Sequence, residues 1–122
     1  MAPASRHLQL LFSAELLDVI EDIHVLEVSW ENRFKKSEIT NYVFMENESV
    51  LHHEESGLLI IHQKLANIMP EQAPDLDSMA ALLKQFVKTI VTEQDLPQGL
   101  IPLLERKIDK LKGYCEADKT RV

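Results

Sequence analysis

The chain has 122 residues, of which 45% are hydrophobic and 27% are charged, and its formal net charge is −7. This composition lies in the ordinary range of globular proteins, which excludes wholesale disorder and collagen-like repeats. The single cysteine, Cys115, excludes an intrachain disulfide and a structural zinc site built from several thiolates.

Charge and hydropathy restrict the cellular compartment and the classes of partner that we expect for the chain. No apolar run approaches the roughly 20 residues that a membrane span requires, and the N-terminus lacks the basic start and apolar stretch of a secretory signal. Between Lys36 and Lys64 there is no Lys or Arg. Because such an acidic surface repels phosphate backbones and anionic lipid, we expect a cytoplasmic protein with no nucleic-acid or membrane partner.

The first predicted element is a long amphipathic helix over about residues 7–35. Its apolar residues recur at alternating steps of four and three, which places them on one face of a helix. This apolar seam consists of Phe12, Leu16, Val19, Ile23, Leu26 and Trp30.

A second helix is predicted to follow. Ser37 supplies a hydroxyl that can cap a helix, and Glu38 places an acid in its first turn. Residues 39–52 also contain β-branched and aromatic types, so a short β-hairpin is the alternative; the absence of a Gly or Pro turn pair favours the helix. Gly57 is then either a break or a close packing contact, and residues 69–74 form a linker loop.

Two further helices complete the prediction. Asp75 or Asp77 caps the third, which runs to about Glu93 with a seam of Met79, Leu83, Phe86 and Ile90. The inner face of the fourth contains Leu100, Leu104, Ile108, Leu111 and Cys115. Gly113 is placed to end this helix, leaving a frayed tail over 113–122.

Four amphipathic helices with short connections bury their apolar faces most simply as an antiparallel four-helix bundle. The fold class is therefore all-α, and residues 1–122 form one domain. Because long heptad-spaced helices pair readily, a homodimer is a further expectation.

The histidines suggest a possible metal site. Glu21 and His24 are three residues apart, which brings a carboxylate and an imidazole onto one helix face. The run His52-His53-Glu54-Glu55 adds candidate ligands, and it superficially resembles the His-and-Glu helix of hemerythrin-like oxygen binders, although the last two predicted helices contain no His. A metal-binding bundle is therefore the alternative function, with the candidate ligands Glu21, His24, His52, His53 and His62.

A third interpretation concerns the segment His62-Gln63-Lys64-Leu65. It resembles the phosphorylated-histidine segment of histidine-phosphotransfer domains, which are acidic four-helix bundles of about this size. The resemblance implies that His62 accepts the phosphoryl group beside Lys64; the order of residues differs and no Gly follows the lysine.

Features of an enzyme are scarce in the sequence. It contains no nucleophile elbow, no phosphate-binding Gly loop and no dinucleotide fingerprint, and no His follows residue 62 to activate Cys115. Apolar residues also lie beside the main seams, at Leu11, Val25, Phe44 and Leu59. The leading hypothesis is therefore a non-enzymatic protein–protein interaction module without a cofactor: an adaptor, inhibitor, immunity-type or chaperone-type regulator with a partner that we expect to be basic.

Overall fold

The structure, a computed structural model, describes residues 4–120, and the side chains of residues 4–117. The described chain contains four α-helices: α1 (Ala4–Lys35), α2 (Asn41–Leu65), α3 (Leu76–Glu93) and α4 (Leu100–Thr120). A 3₁₀ turn, Pro70–Gln72, lies in the loop expected between α2 and α3. The predicted all-α class is confirmed. The alternative β-hairpin over residues 39–52 is wrong, because residues 41–52 belong to α2.

The ends of the helices are fixed by local hydrogen bonds. Asp75 caps α3 by accepting a hydrogen bond from the backbone N–H of Ser78 at 2.7 Å, as predicted. The cap expected at Ser37 is wrong: Thr40 caps α2 through its Oγ1 atom. Ser37 instead ends α1 in the left-handed region, with φ of 60°. Its N–H and that of Glu38 bond back into the last turn of α1, as in a Schellman motif.

The helices pack as an antiparallel bundle in which α1 and α3 each contact the other three helices. Ser13 of α1 meets His62 near the end of α2, which sets these two helices antiparallel. Three ion pairs link α3 to α4 in the antiparallel sense: Lys84–Asp109, Lys88–Glu105 and Lys112–Asp77. Lys107 of α4 binds Glu15 of α1 at 2.9 Å and so joins the two helix pairs.

The buried core residues lie on the predicted apolar seams, except that the buried face of α3 differs slightly from the predicted one. Phe12, Leu16 and Ile23 of α1 are buried, as are all five residues predicted for the inner face of α4. On α3, Val87 is completely buried whereas Phe86 is half-buried. The buried face of α3 is therefore rotated slightly from the predicted one, because two neighbouring helices, α1 and α4, cover it from different sides.

The two predicted roles for glycine had different outcomes. Gly57 is a close packing contact: a Cβ atom there would lie 3.2 Å from both Cδ atoms of Leu96 and 3.4 Å from Cδ1 of Leu100. The stop expected at Gly113 is wrong, because α4 continues through it to Thr120. Helical hydrogen bonding tolerates an internal glycine at a cost of about 1 kcal/mol, and the buried Leu111 and Cys115 on either side keep this turn against the core.

Candidate functional site: the projecting hairpin

The ends of α1 and α2 that meet at residues 36–40 extend beyond the common core. Between Ile23 and Gly57 no residue is buried, although both helices continue through this region. Gly57 contacts Leu96, which lies in the turn between α3 and α4, so this turn marks the level at which the four-helix core ends. We call residues 24–56 the projecting hairpin. Its existence follows from helix length, because α1 has 32 residues whereas α3 has 18 and α4 has 21.

Aromatic contacts close the tip of the projecting hairpin. The rings of Phe34 and Phe44 stack with their centroids 4.6 Å apart, which joins the last turn of α1 to the first turn of α2. The guanidinium of Arg33 lies 4.8 Å from the centroid of the Trp30 ring. Stacked and cation–π contacts of this kind each contribute about 1 kcal/mol, so the tip is held by few interactions.

One side of the projecting hairpin is an apolar surface whose residues are exposed or half-buried. Leu26 and Trp30 continue the α1 seam by the same steps that place Phe12 and Ile23 in the core. On α2, Val43 and Val50 lie two and one heptads before Gly57 and therefore share its side of the helix. The surface formed by these four residues of the hairpin, Leu26, Trp30, Val43 and Val50, is called the open face.

The open face is the continuation of the surface that α3 and α4 cover over the core. Gly57, on the same side of α2, contacts Leu96 and Leu100. Beyond this level no described helix continues the cover, so Leu26 is 48% exposed and Val50 is 57% exposed. An apolar strip that is buried along half of its length and exposed along the other half is typical of an interaction surface.

The structure places one of the five predicted metal ligands in a cluster of potential ligand residues. Glu21, His52 and His53 are exposed, and none of them belongs to a three-residue cluster of potential ligands. His62 lies at the other end of α2, where its Nε2 atom is 3.1 Å from Oγ of Ser13. Among the residues that the structure describes, His24 is the one predicted ligand that belongs to a three-residue cluster.

The neighbours of His24 are Glu27 and Glu55. One ring nitrogen of His24 and one carboxylate oxygen of each glutamate lie within 4.8 Å of one another. Glu27 follows His24 by three residues on α1, and Glu55 reaches the pair from α2. The sequence contained two signals for this cluster: the His-x-x-Glu spacing on α1 and the position of Glu55 in the run His52–Glu55.

One oxygen of each carboxylate in this cluster is shielded from water. Oε1 of Glu27 and Oε2 of Glu55 are inaccessible to water, and no donor group within the described side chains reaches them. The neighbouring Glu55 carboxyl raises the pKa of Glu27, first through a hydrogen bond that forms when one of the two carries a proton, and burial and the negative charges of Glu55 and Glu48 raise it further. The nearby His24 acts in the opposite direction.

A cleft of about 440 Å³ lies at the opposite end of the α1–α2 pair, and Arg6, Ser13, His62 and Glu71 contribute to its lining. His62 is half-buried there, and within residues 4–117 its only hydrogen-bond partner is Ser13. A serine–histidine pair becomes a nucleophile only when a further group orients the imidazole. His62 lines this cleft while bonded to Ser13, and phosphotransfer at His62 stays a prediction.

No known protein family, curated protein or solved structure matches the chain. In the part of the chain that the structure describes, no helix combines the length and the apolar character needed to cross a membrane.

Proposed function

We propose that the protein is a non-enzymatic interaction module, an adaptor or regulator of the cytoplasm that docks a partner protein on the open face of the projecting hairpin. The observation that supports this proposal is the uncovered apolar strip on a hairpin with no buried side chain between Ile23 and Gly57. A two-helix hairpin has no core of its own, and most of the stability of a helix in a protein comes from packing of its apolar face. A partner on the open face supplies that packing.

The dimensions of the open face fit a helical partner. Helices are laid into apolar grooves with anchors spaced by three, four and seven residues. On α1 the seam continues from the exposed Leu26 to the half-buried Trp30. On α2 the seven-residue step from Val43 to Val50 equals one of these anchor spacings. A partner helix of about three turns, roughly 16 Å long, spans this distance.

Charge specifies the polar side of the partner. Residues 24–56 contain seven acidic and three basic side chains, which gives the hairpin a formal net charge of −4. The three basic residues lie together near the tip, at Arg33, Lys35 and Lys36, so the remainder of the hairpin is strongly acidic. We therefore expect an amphipathic helix that is apolar on one side and basic on the other, and we expect salt to slow its association.

The test compares two matched substitutions on α1. Leu26 is 48% exposed on the open face, and Leu17 is 49% exposed on the outer side of the same helix, away from the open face. Wild-type protein, Leu26→Glu and Leu17→Glu are used to capture partners from the extract of the source cell, and the affinity of each purified partner is then measured by calorimetry. Sedimentation of the free protein shows separately whether a second copy occupies the face.

The proposal predicts a partner that binds the wild type and the Leu17→Glu variant with equal affinity and binds the Leu26→Glu variant at least about tenfold more weakly. Circular dichroism must show that both variants keep the helical content of the wild type. Equal losses in the two variants would place the partner elsewhere on the molecule, and a protein that captures no partner while turning over a substrate would refute the proposal.

A further inference from the structure

The cluster of His24, Glu27 and Glu55 has the composition of a metal site. We propose that these three side chains bind a divalent transition-metal ion, which would link α1 to α2 at the base of the projecting hairpin. This site is separate from the open face and does not depend on the proposed docking function.

The geometry requires only small side-chain movements. The three potential ligand atoms lie within 4.8 Å of one another, and ligands at about 2.1 Å from a tetrahedral ion are about 3.4 Å apart. Each atom therefore has to move by about 1 Å, which side-chain rotation supplies without a change in the backbone. Two of the ligands, His24 and Glu27, are already on one helix face because they are three residues apart.

The buried carboxylate oxygens are the second observation. An ionised carboxylate whose oxygens are withdrawn from water and lack donors is unfavourable. One oxygen of each half-buried glutamate, Oε1 of Glu27 and Oε2 of Glu55, is in this state. None of the ion pairs within residues 4–117 involves either glutamate, so no lysine or arginine compensates them. A dication placed between them supplies the missing charge and coordinates both oxygens at once.

The ligand types define the class of ion. One imidazole nitrogen and two carboxylate oxygens suit Zn²⁺, Mn²⁺ or Fe²⁺, whereas Ca²⁺ and Mg²⁺ prefer sites made of oxygen alone. Three protein ligands leave at least one coordination position for water, and His24 is exposed, so the ion remains accessible. Its structural effect is to join two helices that share no buried residue over this length.

The experiment is calorimetric titration of the untagged, chelator-treated full chain with Zn²⁺, with Mg²⁺ in a parallel titration. The two ligand variants are His24→Ala and Glu27→Gln. The matched control is His53→Ala, which removes an exposed histidine from α2 outside the cluster. Thermal unfolding of each protein with and without Zn²⁺ provides a second readout that reports the link between the helices.

We expect one Zn²⁺ per chain, at least about tenfold weaker binding in both ligand variants, unchanged binding in His53→Ala, and a rise in the unfolding temperature with Zn²⁺ that Glu27→Gln lacks. Three results would overturn the proposal. The first is an absence of saturable Zn²⁺ binding by the wild type. The second is a loss of Zn²⁺ affinity in His53→Ala equal to that in the ligand variants, which would indicate binding to surface histidines. The third is a wild-type affinity for Mg²⁺ equal to that for Zn²⁺. If the two glutamates merely share a proton, the first of these results is obtained.

Discussion

Replacing Ser37 by glycine should stabilise the projecting hairpin. Ser37 holds the left-handed position that ends α1, with φ of 60°. Its backbone N–H bonds to the carbonyl of Phe34 at 3.0 Å, and the N–H of Glu38 bonds to the carbonyl of Arg33 at 2.9 Å. The Ser37 side chain is exposed, so the substitution removes no packing contact from the core.

The size of the effect follows from two opposing terms. A left-handed conformation costs a residue with a side chain about 1–2 kcal/mol. Glycine avoids this cost but loses about 0.5–1 kcal/mol more in backbone freedom when the chain folds. The expected gain is therefore about 0.5–1 kcal/mol, which raises the midpoint of urea unfolding by roughly 0.5 M for a small domain.

The assay is urea unfolding followed by the fluorescence of Trp30, the only tryptophan in the chain. Trp30 lies about two helical turns before Ser37, and its ring packs against Arg33. Its fluorescence therefore reports on the tip of the hairpin. The matched control is Ser49→Gly, at an exposed serine inside α2, where the same change should cost about 0.5 kcal/mol because glycine is the poorer helix former. A lower midpoint for Ser37→Gly, or shifts of the same sign in both variants, would refute the reasoning.

Three further outcomes are expected. In metal-free protein, Glu27→Gln should stabilise the fold at neutral pH, because the pKa of Glu27 is raised above its ordinary value of 4.5. Protonation of Glu27 contributes its full stabilisation below pH 4.5. This contribution is lost as the pH rises through the raised pKa of the folded protein. The advantage of the variant in urea unfolding should therefore disappear near pH 4.5. A double-mutant cycle on Glu15 and Lys107, whose side chains are 29% and 27% exposed, should give a coupling of about 1 kcal/mol, whereas additive effects would show that the pair does not join α1 to α4. Leu16→Ala, at a completely buried position, should lower the free energy of unfolding by about 3 kcal/mol, and a loss below about 1 kcal/mol would contradict its place in the core.

Local chemistry accounts for the parts of the structure that the sequence predicted. The steps of three and four in α1, the cap at Asp75 and the inner face of α4 each depend on residues within a few positions of one another. The predictions that were wrong concern helix ends, where neighbouring residues carry similar signals. Ser37 and Thr40 both carry a hydroxyl that can cap α2, and the position of Ser37 at the end of α1 assigned the cap to Thr40. Glycine is a residue type that often ends a helix, but the neighbours of Gly113 in α4 are held by the core.

The candidate sites depend on contacts between helices. His24 and Glu27 share a helix face by their spacing alone, yet Glu55 joins them only because the register between α1 and α2 places it there. His52, His53 and His62 do not belong to this cluster, although their residue type suits the same metal ions.

Periodicity and charge are properties of the linear chain, so the four amphipathic helices, their seams and the acidity of the surface could be predicted without coordinates. The length over which each seam is covered depends instead on the packing of the helices. The seam of α1 continues without change from Phe12 to Trp30, but α3 and α4 cover it only to Ile23. A helix face is apolar along its whole length by sequence, whereas its burial depends on where the neighbouring helices end.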